Sequence, residues 1–398
     1  MHLTIKSLNK ANEVCQEYLK FEDAIIAESG RELVEDIHGI QASIASTIEL
    51  YNQVDDMRKS LESVGYSDEW FDTIAANGQL EGIVDFNMPK FFDNPVNRGK
   101  ACMEGFVDGL KKFIMAICNF IMNAIRKIMS AFDFVIKMFA SNDTAEMKLK
   151  GMLQTAEKVF SSAVIEKWLQ ENPISISGWY PPEQIIKMYD GVNKLLKIVV
   201  PGTDFNGLRA GILDANEYQG RDSTEINKEY FANLATGVAS AGMQPNDPSL
   251  GFVLEHQVGT SSFVKFFGSD PNYKMQEVQR SITGQAELKT MLEQEISNLK
   301  RASQDLCNNV IALKKAMTMR AKTSHDIMVH LNTAYPDPDM MLHNLRDSVI
   351  TSNSLSIVAG AVNFIFHINN YRMANVKAAE AVVKLVNESM AKDPNFTK

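Results

Sequence analysis

The sequence predicts an all-α protein, a multi-helix bundle with a loop-rich middle region and a long antiparallel helical hairpin at its C-terminal end. Apolar residues recur at intervals of three and four over long stretches of both ends of the chain, which is the period of an amphipathic helix. The middle holds no series of alternating, strand-like runs. A chain of 398 residues with 45% hydrophobic and 22% charged residues can bury a sizeable core and is typical of a folded protein.

Residues 1–98 form the first predicted region, which is helical. Gly30 separates a first helix, at roughly residues 3–27, from a second one. The second helix follows from apolar residues that step by threes and fours: Leu33, Ile37, Ile40, Ile44, Ile48, Tyr51, Met57 and Leu61. Ser67 is a plausible N-cap of a further short helix that Asn77-Gly78 closes.

Residues 99–140 form the second region, a basic amphipathic helix. At about 100° per residue, its polar side chains fall in one stripe roughly 160° wide, and the rest of the surface is apolar. The stripe consists of Asp108, Lys111, Lys112, Asn119, Asn123, Arg126, Lys127, Ser130, Asp133 and Lys137. A basic helix with a wide apolar face, in a chain of net charge −9, indicates contact with a lipid surface, a partner helix or a nucleic-acid backbone.

Residues 141–280 form the loop-rich, mostly helical middle region, which holds most of the Pro and Gly turn signals. Short helices are expected at about 145–171 and 183–198. The run Ile198-Val199-Val200 is the one candidate strand. A binding or catalytic site, if the chain has one, is most naturally placed in this region because loops carry function.

Residues 281–398 form the long hairpin. Eight residues alternate spacings of four and three and predict a buried heptad seam: Leu292, Ile296, Leu299, Ser303, Leu306, Val310, Leu313 and Met317. Pro336 and Pro338 break the pattern, and a second helix follows from about 340 to 390. Two long helices joined by a proline-bearing turn predict an antiparallel pair.

Signatures of catalysis, cofactor binding and metal binding are missing from the sequence. It contains no phosphate-binding loop, dinucleotide fingerprint, zinc-protease motif or nucleophile elbow. The four cysteines have no zinc-ligand spacing, and His325 and His330 are about 140° apart on a helix. His367 is expected to be a buried or half-buried histidine. Trp179-Tyr180 is expected to anchor a loop, and stacking on a ligand is the less common alternative. We therefore predict no catalytic residues, no cofactor and no metal.

The basic helix supplies the candidate contact residues for a membrane or a partner protein. They are Lys111, Lys112, Phe113, Ile117, Ile121, Ile125, Arg126, Lys127 and Lys137. Three interpretations stay open: a bundle helix whose basic side faces solvent, a helix that inserts its apolar face into a membrane surface, and a docking helix for a second protein. A simple membrane span is disfavoured by the central Arg126 and Lys127. Direct nucleic-acid binding is disfavoured because the chain is acidic and the basic stripe lacks aromatic residues.

The segment MEGFVDGLKKFIMAICNFIMNAIRKIMSAF, residues 103–132, resembles internal head proteins of large-genome tailed bacteriophages. The likeness extends to the organisation of about residues 1–140, although this helix has fewer Trp and Lys residues than is usual there. The resemblance implies a non-enzymatic structural protein that is assembled in the host cytoplasm and packaged inside the virion head. It also implies other virion proteins as partners and ejection of some members with the genome.

Two other functions remain open at the level of the sequence. One is a membrane-active ejection or pore-forming protein that acts through helix 106–139. The other is an enzyme with its site in residues 141–280. The long helices are also candidates for forming a homo-oligomer.

Overall fold

The computed structural model describes residues 3–4, 95–159, 162–200, 223–255, 263–267, 275–333 and 338–392. Helices make up 83% of the described part, which confirms the predicted all-α class. The helices are α1 (Pro95–Val159), α2 (Ser162–Glu171), α3 (Pro182–Val199), α4 (Ser223–Ser240), α5 (Ser297–Thr333) and α6 (Pro338–Lys392). A helical turn at Gln285–Lys289 and a π-helical segment at Thr290–Ile296 lead directly into α5.

Helix α1 is the frame of the bundle and packs along both α5 and α6. Its contacts with α5 run in opposite order along the two helices: Asp133 pairs with Lys314, and Lys150 donates to Ser297 at 3.0 Å. The contacts of α1 with α6 run in the same order, from the Asn142–Asn369 bond at 2.5 Å to the Lys148–Glu380 pair at 3.7 Å. Helix α1 is therefore antiparallel to α5 and parallel to α6.

The two C-terminal helices run in opposite directions, but they are not a simple side-by-side hairpin. Each packs mainly on α1 and α3, and α5 meets α6 at fewer positions, among them the contacts of Arg320 with Asp347 and Thr351. All eight residues of the heptad seam predicted at 292–317 are buried. The seam thus faces α1 and α3, because these helices fill the space between α5 and α6.

Helix α6 is the central helix of the bundle. Apolar residues lie on all its sides, and α1, α3, α4 and strand residues 264–266 pack around it. Within the part of the chain that the structure describes, two stretches, Ile114–Gly151 and His343–Lys392, have the length and apolar composition of membrane-crossing helices. In the most apolar window of the second stretch, 89% of the residues are buried inside the protein. A core helix of a folded bundle has the same composition.

The middle region contains short strands that the sequence did not predict: β2 (Ile174–Trp179), β3 (Phe252–Leu254), β4 (Val264–Phe266) and β5 (Val278–Ile282). Strand β2 pairs antiparallel with β5, and β3 pairs antiparallel with β4. Strands of three to six residues are too short for a clear alternating pattern, so only their tertiary pairing reveals them. The candidate strand Ile198-Val199-Val200 is instead the end of α3, whose buried side includes Val199.

The start of the chain also differs from the prediction. Leu3–Thr4 is strand β1, which pairs in parallel with Ile174 and Ser175 of β2, where a helix beginning near residue 3 was expected. The sequence could not show this because the pairing partner lies about 170 residues away. The other helices predicted for residues 1–94 lie outside the described residues.

The predicted boundary at residue 140 lies within α1, which continues unbroken to Val159. The Ser-Asn-Asp-Thr run at 141–144 resembles a turn in the sequence. In the structure, Asn142 bonds to Asn369 in the core, and the Thr144 hydroxyl donates to the carbonyl oxygen of Ala140 at 3.1 Å. The hydrogen bonds of these side chains are made within the helix or to the rest of the bundle, so the side chains do not end α1. The expected helix 145–171 is therefore the end of α1 followed by α2.

Candidate functional site: the basic face of α1 and the neighbouring polar core

The nine predicted contact residues do not form one surface. Ile117, Ile121 and Ile125 are at most 2% exposed and belong to the core of the bundle. The basic residues point the other way: Lys112, Arg126, Lys127 and Lys137 are exposed and Lys111 is half-buried, whereas the side chain of Phe113 is outside the described set. The apolar face of α1 is thus covered by its neighbours, while the basic face, from Lys112 to Lys137, extends over about 38 Å.

Polar groups that had no part in the sequence predictions meet in the core of the bundle, beyond the Lys137 end of this face. Arg372 of α6 is fully buried, and its Nη2 donates to Oε1 of Glu146 on α1 at 2.6 Å. Glu146 is 1% exposed, and its Oε1 also accepts from Arg372 Nε at 3.1 Å. Asp143 Oδ1 lies 3.3 Å from Arg372 Nη2 on the solvent side. One guanidinium therefore holds two carboxylates of the facing helix.

Asparagines extend this polar core along α6. Asn369 accepts from Asn142 of α1, one turn before the ion pair. Asn375 accepts from the backbone N–H of Tyr180 at 2.9 Å and donates to its carbonyl oxygen at 2.7 Å. Both backbone groups of Tyr180 are thereby satisfied by one side chain, which ties the segment after β2 to the bundle.

Burial dominates the electrostatics of the ion pair. It raises the pKa of Glu146, and the charge and hydrogen bonds of Arg372 oppose that rise. Burial also raises the pKa of Tyr189, a fully buried residue of α3 whose phenol lies beside the guanidinium. Among the described residues, Glu146 Oε2, Arg372 Nη1 and Tyr189 Oη find no hydrogen-bond partner of standard geometry. Such a pair contributes little net stability compared with apolar side chains, but it is costly to break, so it favours one alignment of α1 and α6.

A second polar contact crosses the bundle near a small recess. Arg320 of α5 contacts Asp347 and Thr351 of α6, and Ile125, Val199 and Met317 line the same recess. Its volume of about 20 Å³ is room for about one water molecule. Burial raises the pKa of the nearby Cys118 thiol to about 11, so this cysteine is a protonated core residue.

The aromatic and histidine candidates have structural surroundings. Trp179 is 1% exposed, with the guanidinium of Arg280 5.1 Å from its ring centre, and Tyr180 packs against Tyr371. Both are anchors of the segment around β2, as predicted. Burial lowers the pKa of His367. Within the described ranges, no three His, Cys, Asp or Glu side chains converge as a metal site would require.

A signal for the polar core was present in the sequence. On α6, Asn369 and Arg372 occupy positions of an otherwise apolar series, between Ile365 and Val376. On α1, Asn142 and Glu146 likewise occupy positions that continue the helical spacing of the apolar residues before them. Each helix therefore has an asparagine followed by a charged residue at core spacing, and the two charges are opposite. This arrangement indicates a buried ion pair.

Comparison with models of protein families, with curated proteins and with solved structures finds no match to this chain. The function is therefore inferred from the geometry of the described residues and from the resemblance of residues 103–132.

Proposed function

We propose that this protein is a non-enzymatic structural component of a tailed-phage virion, packaged inside the head and in contact with other virion proteins. The observation that carries the proposal concerns the phage-like segment of α1. Its apolar residues Ile117, Ile121 and Ile125 are sealed in the bundle, and its basic residues face outward. A rigid helix with one covered and one charged face is suited to packing against neighbouring proteins.

The charge distribution favours a protein partner for this face. The chain carries a net charge of −9, so nucleic acid would repel the molecule as a whole. An acidic surface of another virion protein, or of another copy of the chain, would instead be complementary to the exposed Lys112, Arg126, Lys127 and Lys137. Assembly would take place in the host cytoplasm, before the head is filled.

Protein analysis of purified phage particles tests this proposal. Virions are purified from a lysate of the phage that encodes the chain, and tryptic peptides are identified by mass spectrometry. We expect peptides of α1, α5 and α6 in intact particles, protected from added protease until the heads are opened by osmotic shock. A nonstructural protein of the same phage serves as the control. Absence of the chain from particles, or digestion in intact particles, contradicts the proposal.

Membrane activity is the second candidate, favoured by the two helical stretches that could cross a bilayer by length and composition. For α1 to act in this way, the buried Ile121 and Ile125 would have to leave the core. Flotation of the intact protein with vesicles of anionic phospholipid tests this candidate. Binding that decreases with added salt supports it, because the Lys and Arg stripe would supply the attraction. Failure to float at low salt eliminates it.

A further inference from the structure

The outer side of α5 carries one continuous row of exposed residues. Five large apolar side chains in the described part of the chain are 42–65% exposed, and three of them, Ile311, Met319 and Val329, lie on this helix. At about 100° per residue, these three fall within a sector of roughly 80° together with five polar residues, all of them exposed. We call the eight residues the α5 row: Asn308, Ile311, Lys315, Met319, Lys322, Asp326, Val329 and Thr333.

The spacing of the α5 row is that of a seam between two helices. Successive members are three or four positions apart, which is the interval at which paired helices place the residues that face each other. The heptad seam on the inner side of α5 has the same spacing and is buried against α1 and α3. Helix α5 therefore has two seams, one inside the bundle and one on the outside of the described structure.

The charged residues of the α5 row form no ion pair in the ranges that the structure describes. The ion pairs of this helix with other helices involve Lys300, Lys314 and Arg320 instead. Lys315 and Asp326 of the row are eleven positions apart, a rise of about 16.5 Å along the helix. They are thus too far apart to pair with each other within one molecule.

A second copy of α5, running in the opposite direction, supplies partners for these charges. A two-fold axis at the midpoint of the row, between positions 320 and 321, places each residue opposite the one that is equally far on the other side. Lys315 and Asp326 both lie about 8 Å from this axis, so each lysine meets the aspartate of the other copy. A parallel pair would instead place lysine against lysine and aspartate against aspartate, which like-charge repulsion disfavours.

The apolar residues of the row follow the same symmetry. Ile311 and Val329 lie about 14 Å and 13 Å from the axis, on opposite sides, so each isoleucine meets a valine of the other copy. Met319 lies near the axis, opposite Lys322 of the other copy, whose carbon stem covers it. One axis therefore pairs opposite charges and removes the exposed apolar side chains of both copies from water.

We propose that two copies of this protein associate through the α5 row, as an antiparallel pair of α5 helices related by a two-fold axis. The two lysine–aspartate pairs set the direction and register of the helices. The contact is one pair of helices, at the small end of specific interfaces, so the dimer dissociates on dilution. It is independent of whether the protein is a virion component.

Sedimentation velocity of the full-length protein, at concentrations from about 1 to about 200 μM, tests this dimer. The variants Lys315→Asp and Asp326→Lys each place like charges opposite one another, so each should associate at least about tenfold more weakly than the wild type. An equimolar mixture of the two variants should associate again, because the negative row of one then meets the positive row of the other. The matched controls are Lys384→Asp and Glu388→Lys, which reverse an exposed lysine and an exposed carboxylate on α6 and should leave association unchanged.

Cross-linking of the wild-type protein tests the register without any substitution. A carbodiimide joins a lysine amine directly to a carboxylate that touches it, so a link between Lys315 and Asp326 can form only between two copies. In a mixture of unlabelled and nitrogen-15-labelled protein, we expect this linked peptide pair with one labelled and one unlabelled member.

Three results would overturn the proposal. They are a wild-type protein that stays monomeric at about 200 μM, charge variants that associate like the controls, and a mixture of the two variants that fails to associate. A monomeric wild type that floats with anionic phospholipid vesicles, and loses this binding in Ile311→Glu with Met319→Glu, would assign the row to a lipid surface instead.

Discussion

Replacing Arg372 by Met should be among the most damaging single changes in the molecule. Among the described residues, Arg372 is the only charge that faces the buried Glu146 at hydrogen-bond distance, and its removal leaves the carboxylate unpaired in the core. Breaking a buried ion pair in this way costs about 3–5 kcal/mol. Domains are typically stable by roughly 5–15 kcal/mol, so between about a fifth and the whole of the stability is at stake.

Removing both charges should be much less damaging. The variant Glu146→Leu with Arg372→Met fills the space with apolar side chains and leaves no unpaired buried charge, so its stability should lie within about 1–2 kcal/mol of the wild type. Asp143 keeps Lys300 and Gln304 as neighbours and stays partly solvated. The control is Lys148→Met, which breaks an exposed pair with Glu380 and should cost less than about 1 kcal/mol.

The loss in the single variant should also depend on pH. Burial already raises the pKa of Glu146, and without Arg372 nothing comparable opposes that rise. The pKa is then higher in the folded than in the unfolded state, so protonation favours folding. The stability that Arg372→Met loses at neutral pH should therefore return as the pH falls through the folded-state pKa of Glu146. It should be lost again when the pH is raised.

Equilibrium urea unfolding, followed by circular dichroism between neutral and mildly acidic pH, measures both effects. The reasoning is refuted if the double variant is as unstable as Arg372→Met, because the loss would then come from packing alone. It is also refuted if Arg372→Met costs no more than Lys148→Met.

Four further changes test other parts of the structure. Leu306→Ala or Leu313→Ala should each cost about 2–5 kcal/mol in urea unfolding, whereas Ile311→Ala, at 54% exposure, should cost far less; similar losses would contradict the buried seam. Ile121→Asp with Ile125→Asp should unfold the protein, while Asn119→Asp with Asn123→Asp on the exposed side should not, and a folded Ile121/Ile125 variant would refute the core position of these residues. Gly251→Ala should lower the melting temperature more than Gly242→Ala: both glycines have positive φ, but only at Gly251 would the new methyl group lie 2.1 Å from Phe364. Hydrogen bonds from Ser249 and Lys187 lower the pKa of Asp247 to about 2, so its stabilising effect should be fully present above its ordinary pKa and be lost as the pH falls from there through about 2; an ordinary pKa in a carbon-13 titration would contradict these bonds.

The helical class and much of the core were predictable because they depend on local periodicity. The seam from Leu292 to Met317 and the orientation of α1, with Ile121 inward and Arg126 outward, follow from which residues recur every three or four positions. The ends of α1 were less predictable. The side chain of Asn142 could have stopped the helix in isolation, but its bond to Asn369 occupies it within the bundle.

The candidate site was predictable in part. The exposed Lys and Arg stripe of α1 is a property of one helix, so its residues could be named from the sequence. The Arg372–Glu146 pair joins residues 226 positions apart, so the sequence marks each residue as a polar group at core spacing but does not show which residue it meets. The short strands also depend on a partner elsewhere in the sequence, because a run such as Val264–Phe266 becomes a strand only when Phe252–Leu254 lies beside it.

The sequence by itself determined that the chain is helical, which faces of α1 and α5 are apolar, and that residues 5–94 are acidic while α1 is basic. Only the tertiary structure decided that α5 and α6 pack on α1 and α3 more than on one another, that α6 lies at the centre, and that Arg372 finds Glu146. The physical reason is that helical periodicity depends on neighbours within one turn, whereas burial and ion pairing depend on which distant surfaces exclude water together.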